Sequence, residues 1–365
     1  MEKNSLDSRK NILFSTTRQW NPGDEFILMG ILNVMSSIDD NFNPIIFNRN
    51  PEIERPKSKM CFNFQFDLSH IRFKRLKSGF YDNSFKDRFL QDRFIDLAVF
   101  AGTPEWASPR LKSMYQYIYK YSIPTVYIGI GLGSSDFTLS KLDYVYKNVI
   151  KNAKLIIVRD QFTKNLLSGI NSVFLPCPSL LAATKEFEKN IREVKKVGLT
   201  YCSDKSIRNN RINHEAYRFT VNLYKSLLEK YAKRFDFEFI CHYVDELPDF
   251  FKDFNSCKCN YSYDSRDYIK IYNKFDLVIG TRVHGIGLSA SMGIPGISIR
   301  HDVRGDTCGM FGAEIIEVGR DFDGVFAIFD AKVKEIKNIN QNLLEHKGEV
   351  FQQYLTLLSP ILKSI

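Results

Sequence analysis

An arginine and a histidine two residues apart, in the run Thr281-Arg282-Val283-His284-Gly285, are the residues of this chain best suited to chemistry on an anion. A planar guanidinium offers a fork to a carboxylate or phosphate, and an imidazole beside it can carry a proton near neutrality. The apolar run Leu277-Val278-Ile279 before them reads as a buried parallel strand. The small-residue segment from Ile286 to Gly293 reads as the helix that follows. Arg282, His284 and Gly285 then stand at a strand's carboxyl end beside a helix N-terminus, where open α/β sheets bind ligands and backbone N–H groups favour anions. A strand-end arginine beside a hydrogen-bonded structural histidine is the plainer reading of the same residues.

Four more segments sit at expected strand exits. Asn21-Pro22-Gly23-Asp24-Glu25 is a turn in which Asp24 serves either as a helix N-cap or as a group that orients or deprotonates a hydroxyl. Gly129-Ile130-Gly131-Leu132-Gly133 is a glycine-rich turn, with Gly131 a candidate for acceptor contact. Its spacing departs from the dinucleotide fingerprint, which argues against nicotinamide or flavin. Arg159-Asp160 follows the strand Leu155–Val158, either reaching an anion or bracing the next helix. Gly102-Thr103-Pro104-Glu105-Trp106 places one of two tryptophans on a proline-containing loop. There Trp106 either stacks on a sugar or covers its own core, and Glu105 becomes a hydroxyl ligand in the first case.

The elements that must hold these loops alternate strand and helix. Strands are expected at 11–15, 96–100, 125–129, 155–158 and 173–175, then at 197–201, 237–240, 276–280, 296–299 and 315–318. A helix is expected from Phe26 to Met35. A longer one spans about 214–234, with Tyr217, Val221, Tyr224, Leu228 and Tyr231 on one face. This predicts two doubly wound, Rossmann-like α/β domains facing a cleft. Residues 1–185 form the first, on the acceptor side, with a charged insertion at about 50–94. Residues 186–365 form the second, on the donor side, with C-terminal helices packing back.

Composition narrows the partners. The chain has 365 residues and a formal charge of +9, without the dense basic run of a nucleic-acid patch. Small anions fit that charge, and peripheral contact with an anionic membrane is a secondary reading. Seven cysteines without framework spacing suit a reducing cytoplasm, and no ligand cluster suggests a metal. No signal peptide or membrane-length apolar run appears, so work on lipid-linked material would proceed from the cytoplasmic side, at the inner face of the cell membrane.

In their order, these loops resemble the polysaccharide pyruvyl transferase family: Asn-x-Gly-Asp near the start, the glycine-rich exit at 129–133, Val158-Arg159-Asp160, Thr281-Arg282-Val283-His284-Gly285, and Gly293-Ile294-Pro295. The resemblance spans roughly residues 11–300. It implies a two-domain fold like the B-type glycosyltransferases and transfer of pyruvate from phosphoenolpyruvate to a cell-surface sugar as a ketal. Phosphoenolpyruvate would be a co-substrate, no further cofactor is implied, and the sugar acceptor would be lipid- or nucleotide-linked. Carried over residue by residue, Arg159 and Arg282 would clamp the donor, His284 would act as the acid, and Asp24 would activate a hydroxyl. Two departures fall on the half expected to bind acceptor: Ala101-Gly102-Thr103-Pro104 replaces a run of glycines, and Cys177-Pro178-Ser179 replaces a common Asp-Pro. The alternatives are a glycosyltransferase using a nucleotide sugar and a non-enzymatic glycan- or ligand-binding relative.

Overall fold

The structure is a computed structural model, and it describes residues 9–16, 21–48, 94–102, 111–132, 141–206 and 212–365. The expected insertion at about 50–94 lies almost wholly outside the described residues, as do Glu105 and Trp106. Twelve strands are described: β1 (Lys10–Thr16), β2 (Phe42–Asn48), β3 (Leu97–Ala101), β4 (Thr125–Ile130), β5 (Leu155–Val158), β6 (Val173–Phe174), β7 (Lys196–Tyr201), β8 (Asp236–Cys241), β9 (Cys259–Asn260), β10 (Leu277–Gly280), β11 (Gly296–Arg300) and β12 (Glu314–Glu317). The α-helices are α1 (Pro22–Ile38), α2 (Lys112–Tyr121), α3 (Tyr144–Lys151), α4 (Gln161–Leu166), α5 (His214–Tyr231), α6 (Leu247–Asp253), α7 (Asp267–Tyr272), α8 (Val283–Ser291), α9 (Phe322–Lys334) and α10 (Ile336–Lys363).

The strands form two six-stranded sheets, ordered β2-β1-β3-β4-β5-β6 and β12-β11-β10-β7-β8-β9, and every pairing is parallel. Parallel strands covered on both faces must be apolar throughout, which is why Ile12-Leu13-Phe14 and Leu277-Val278-Ile279 are almost fully buried. These are two Rossmann-like α/β folds. The chain order reverses between β1 and β3 in the first sheet and between β7 and β10 in the second. Such reversals open a crevice outside the carboxyl ends of the strands.

Contacts group the chain into two compact units, one of Met1–Trp20, Ile38–Phe174 and Ser359–Ile365, the other of Asn21–Ser37 and Leu175–Leu358. Their segments alternate along the chain, whereas the sequence reading divides it once near 185. Most of α1 therefore belongs with the second sheet. So does Cys177-Pro178-Ser179, which reads from sequence as part of the acceptor half.

Three local features differ from the sequence reading. β2 is unpredicted because Pro44 interrupts its apolar pattern; as an edge strand it tolerates the missing N–H. α1 begins at Pro22, so Asp24 lies inside its first turn and does not cap it. Proline at the first helical position sacrifices an N–H that has no partner there anyway. The Asn21 side chain instead accepts from the Gly23 N–H at 3.1 Å. In α5, the buried face centres on Leu223, Tyr224 and Leu227, leaving Tyr217 and Leu228 half-buried.

Candidate functional site

The second sheet brings its chemistry to the β7–β10 switch point. Thr281 leaves β10 and its hydroxyl lies 2.8 Å from the Cys202 thiol at the end of β7, both buried. Burial pushes the Cys202 thiol up to about 12, so it stays protonated and is no nucleophile. Arg282 follows in extended conformation as the residue preceding α8. His284 and Gly285 lie in the first turn of α8, whose opening N–H groups have no intrahelical acceptor.

Arg282 is held from two sides by the chain leaving β8. Glu246, fully buried, pairs with its guanidinium through Oε1. Through Oε2 the same carboxylate accepts the His242 and Tyr243 N–H groups at 3.0 and 3.1 Å. The Arg282 guanidinium also lies 4.5 Å over the Tyr243 ring. Burial opposes the charge of Arg282, but Cys202, Glu246 and Tyr243 outweigh it and hold its pKa above the usual value. Burial raises the Glu246 carboxyl, with Arg282 pulling the other way. Burial, with the Arg282 charge added, holds His242 well below the ordinary imidazole range. Neutral His242 instead shares a 2.8 Å hydrogen bond with the Tyr272 hydroxyl.

The turn before α1 reaches the same place. The Tyr243 hydroxyl donates to Asn21 Oδ1 at 3.0 Å. A side chain on Gly23 would put its Cβ 2.4 Å from His284 Nδ1, so the imidazole lies directly against the α1 backbone. Asp24, the next residue, is 2% exposed, and its charge acts on the Tyr243 hydroxyl. Asp24, Arg282 and His284 thus converge, although more than two-thirds of the chain's length separates the first from the other two. Gly285 is needed for close packing: a Cβ there would come within 2.2 Å of the Tyr272 hydroxyl.

At the end of β11, beside β10, His301 lies 3.3 Å from Asp302, and Asp302 receives the Arg304 guanidinium. Burial lowers the His301 pKa; Asp302 opposes this, while Arg304 and Arg282 add to it. The edge therefore carries cationic or protonatable groups on two neighbouring strands. Glu246, Tyr243, His242 and His301 go unmarked in the sequence reading. Position could have found the two histidines, since each stands two residues past an expected strand and directly after the observed one. The roles of Tyr243 and Glu246 arise only from folding.

The first unit holds Gly131 and Arg159. β4 bulges between Ile128 and Ile130, where Gly129 adopts a φ of 70°. Arg159, 5% exposed, donates its backbone N–H to the Ile130 carbonyl at 2.9 Å. A Cβ on Gly131 would lie 2.5 Å from Arg159 Nε, so these two predicted residues are neighbours. Asp160 caps α4 by accepting the Thr163 N–H at 2.6 Å, and its other oxygen lies 4.0 Å from Arg159 Nε. The bracing role read from the sequence for this pair is present. Among the described residues, no group of three His, Cys, Asp or Glu side chains is arranged for a metal.

Two parallel Rossmann-like sheets, with an arginine–histidine pair at one switch point, define an α/β protein built like the B-type glycosyltransferases. A family model described as polysaccharide pyruvyl transferase matches residues 21–303, and the chain belongs to that family. No curated protein matches the sequence at a significant level.

Solved structures share the fold. Anabaena HepE, in complex with UDP-glucose, matches with a TM-score of 0.57 at 13% identity, over 97% of this chain and 100% of that one. The UDP-GlcNAc 2-epimerase of Neisseria meningitidis, bound to UDP-GlcNAc, matches with a TM-score of 0.54 at 12% identity, over 96% and 99%. A putative UDP-N-acetylglucosamine 2-epimerase from Listeria monocytogenes matches with a TM-score of 0.57 at 11% identity, over 98% of each chain.

Proposed function

We propose that this protein transfers the pyruvate unit of phosphoenolpyruvate to two hydroxyls of a sugar in a cell-surface polysaccharide or its lipid- or nucleotide-linked precursor. Family membership supports the reaction class. The observation that carries the reading is the convergence of Arg282, His284 and the Asn21–Asp24 turn at one strand edge.

Phosphoenolpyruvate carries a carboxylate and a phosphate, and each needs a cationic partner. Arg282 is assigned to one of them, pre-oriented by Glu246 and Tyr243. The family resemblance names Arg159 for the other; the Gly285 backbone N–H adds to the donor site, and Gly131, Glu105 and Trp106 are assigned to the acceptor. His284 gives a proton to the methylene carbon, and the C2 centre becomes oxocarbenium-like. One sugar hydroxyl adds at C2 and loses its proton. The C2–O bond to phosphate then breaks, and the second hydroxyl closes the ketal. Of the two protons the hydroxyls release, one replaces that delivered to the methylene carbon and the other leaves with inorganic phosphate. Asp24 is assigned to take a hydroxyl proton. The scheme requires no further cofactor.

We assign the work to the cytoplasm, where the free cysteines stay reduced. No described helix is long and apolar enough to cross a membrane.

A second reading, transfer from a nucleotide sugar, is favoured by the bound ligands of the structural neighbours. Titration calorimetry separates the two. Phosphoenolpyruvate should bind the wild-type protein and bind the Arg282→Ala variant far more weakly. Binding of UDP with no response to phosphoenolpyruvate would replace the first reading with the second.

A further inference from the structure

The first unit carries a surface that the reaction does not use. α2 and α3 join successive neighbours in the order β3-β4-β5, so right-handed crossovers place both on one side of the sheet with their backs outward. Three of the eight exposed large hydrophobic side chains among the described residues lie on these two helices: Tyr119 at 39%, Tyr121 at 49% and Tyr144 at 66% exposure. The Tyr119 and Tyr144 rings meet edge to face at 5.9 Å, which joins the two helices at the surface.

Lysines are frequent in the same two segments. Residues 111–122 and 141–154 contain six lysines against one carboxylate, Asp143, which is occupied in capping α3. Lys147 and Lys151 follow Tyr144 at steps of three and seven, on the same helix face. Lys120 lies 5.0 Å from the centre of the Tyr121 ring.

We propose that this outward face of α2 and α3 docks the protein on an anionic membrane. Tyrosine rings have an apolar body and a polar tip, and they settle at the depth of lipid headgroups. Lysines in the same segments reach the anionic surface on long stems. A second copy of the chain is a poor occupant, because a two-fold contact would set one lysine-rich face against another, and lysine is depleted in protein interfaces. A single-stranded nucleic acid or acidic glycan calls for a charged groove that tracks its backbone, whereas here the backs of two helices are presented. The inference stands apart from the proposed reaction, and its test involves no turnover.

The test is co-sedimentation of the full chain with vesicles of phosphatidylcholine alone or mixed with phosphatidylglycerol. Binding should require the anionic lipid and weaken with salt. Each lysine neutralised should cost about fivefold, so Lys120→Gln/Lys147→Gln/Lys151→Gln should lower binding on the order of a hundredfold. Tyr119→Ser/Tyr121→Ser/Tyr144→Ser should weaken it as well. Hydrogen exchange on the wild-type protein should show protection at 112–121 and 144–151 when anionic vesicles are added, which needs no variant to fold. Equal binding to neutral vesicles, full binding by the lysine variant, or protection elsewhere would overturn the proposal. So would an acidic polysaccharide or a second copy occupying this face in place of vesicles.

Discussion

Replacing Gly23 with alanine should move the His284 imidazole while leaving the fold intact. The new Cβ would sit 2.4 Å from His284 Nδ1, and 3.1 Å from its Cβ and Cγ, where ordinary contact begins at 3.4 Å. Something must retreat by about 1 Å, and α1 is the wrong partner to do so. Gly30 lies so close to the Pro178 carbonyl that a Cβ there would come within 1.8 Å of it. Asn33 donates to the Leu181 and Ala182 carbonyls at 2.9 and 3.0 Å, and Phe26 packs on the His242 ring at 5.8 Å. The imidazole, on a single side chain, gives way first. Alanine is the better helix former by about 1 kcal/mol, which offsets part of the overlap. The thermal midpoint should therefore change by no more than a few degrees. A misplacement of about 1 Å at a reacting group can cost on the order of a hundredfold in rate. Steady-state phosphate release from phosphoenolpyruvate should show kcat falling by about that factor, with the KM for phosphoenolpyruvate nearly unchanged. An unchanged kcat, in a folded variant and with His284→Ala inactive, would refute the placement of His284. A raised KM with intact kcat would make His284 a binding group.

The other expectations concern the groups around it. Arg282→Ala should lose about 2–5 kcal/mol of phosphoenolpyruvate binding by calorimetry, since truncation removes a charge-assisted contact. Glu246→Gln should lower unfolding stability by about 3–5 kcal/mol, because it leaves the Arg282 charge buried without its counter-charge. Added phosphoenolpyruvate should raise the midpoint of that variant more than that of the wild type, because the ligand restores a negative charge. Gly285→Ala should cost about 1–3 kcal/mol by overpacking against the buried Tyr272, read by denaturant titration. His242 and His301 have depressed pKa values in the fold, so the unfolded chain takes up protons that the folded chain does not. Their contribution is complete above pH 6.5 and is lost as pH falls below it, so calorimetric midpoints should drop on the acid side. His242→Gln should flatten that drop.

How much could be read in advance depended on whether a residue's role was local. β10 was legible because a strand buried on both faces must be a continuous apolar run, and Arg282 and His284 follow from where that run ends. β2 was hidden by Pro44, whose tolerance depends on edge position, a property of the sheet and not of the segment. The start of α1 was misread because Asp24 and Asn21 are both good caps, and only the packing of Pro22 and Gly23 decides between them. Glu246 looked like one more surface carboxylate. Its complete burial comes from Arg282, distant in sequence, and from two N–H groups of the turn that carries it. The membership of α1 in the second unit was equally invisible, since an alternating strand–helix pattern reads as domains that follow one another along the chain.

The most direct test supplies the purified protein with phosphoenolpyruvate and with polysaccharide precursors extracted from its own source. Phosphate release and the glycan product would be followed together. The account predicts phosphate released in equal amount to pyruvate ketal gained on the glycan, with both lost in His284→Ala. Folded wild-type protein that binds these precursors, yet releases no phosphate and adds no pyruvate to any of them, would contradict it.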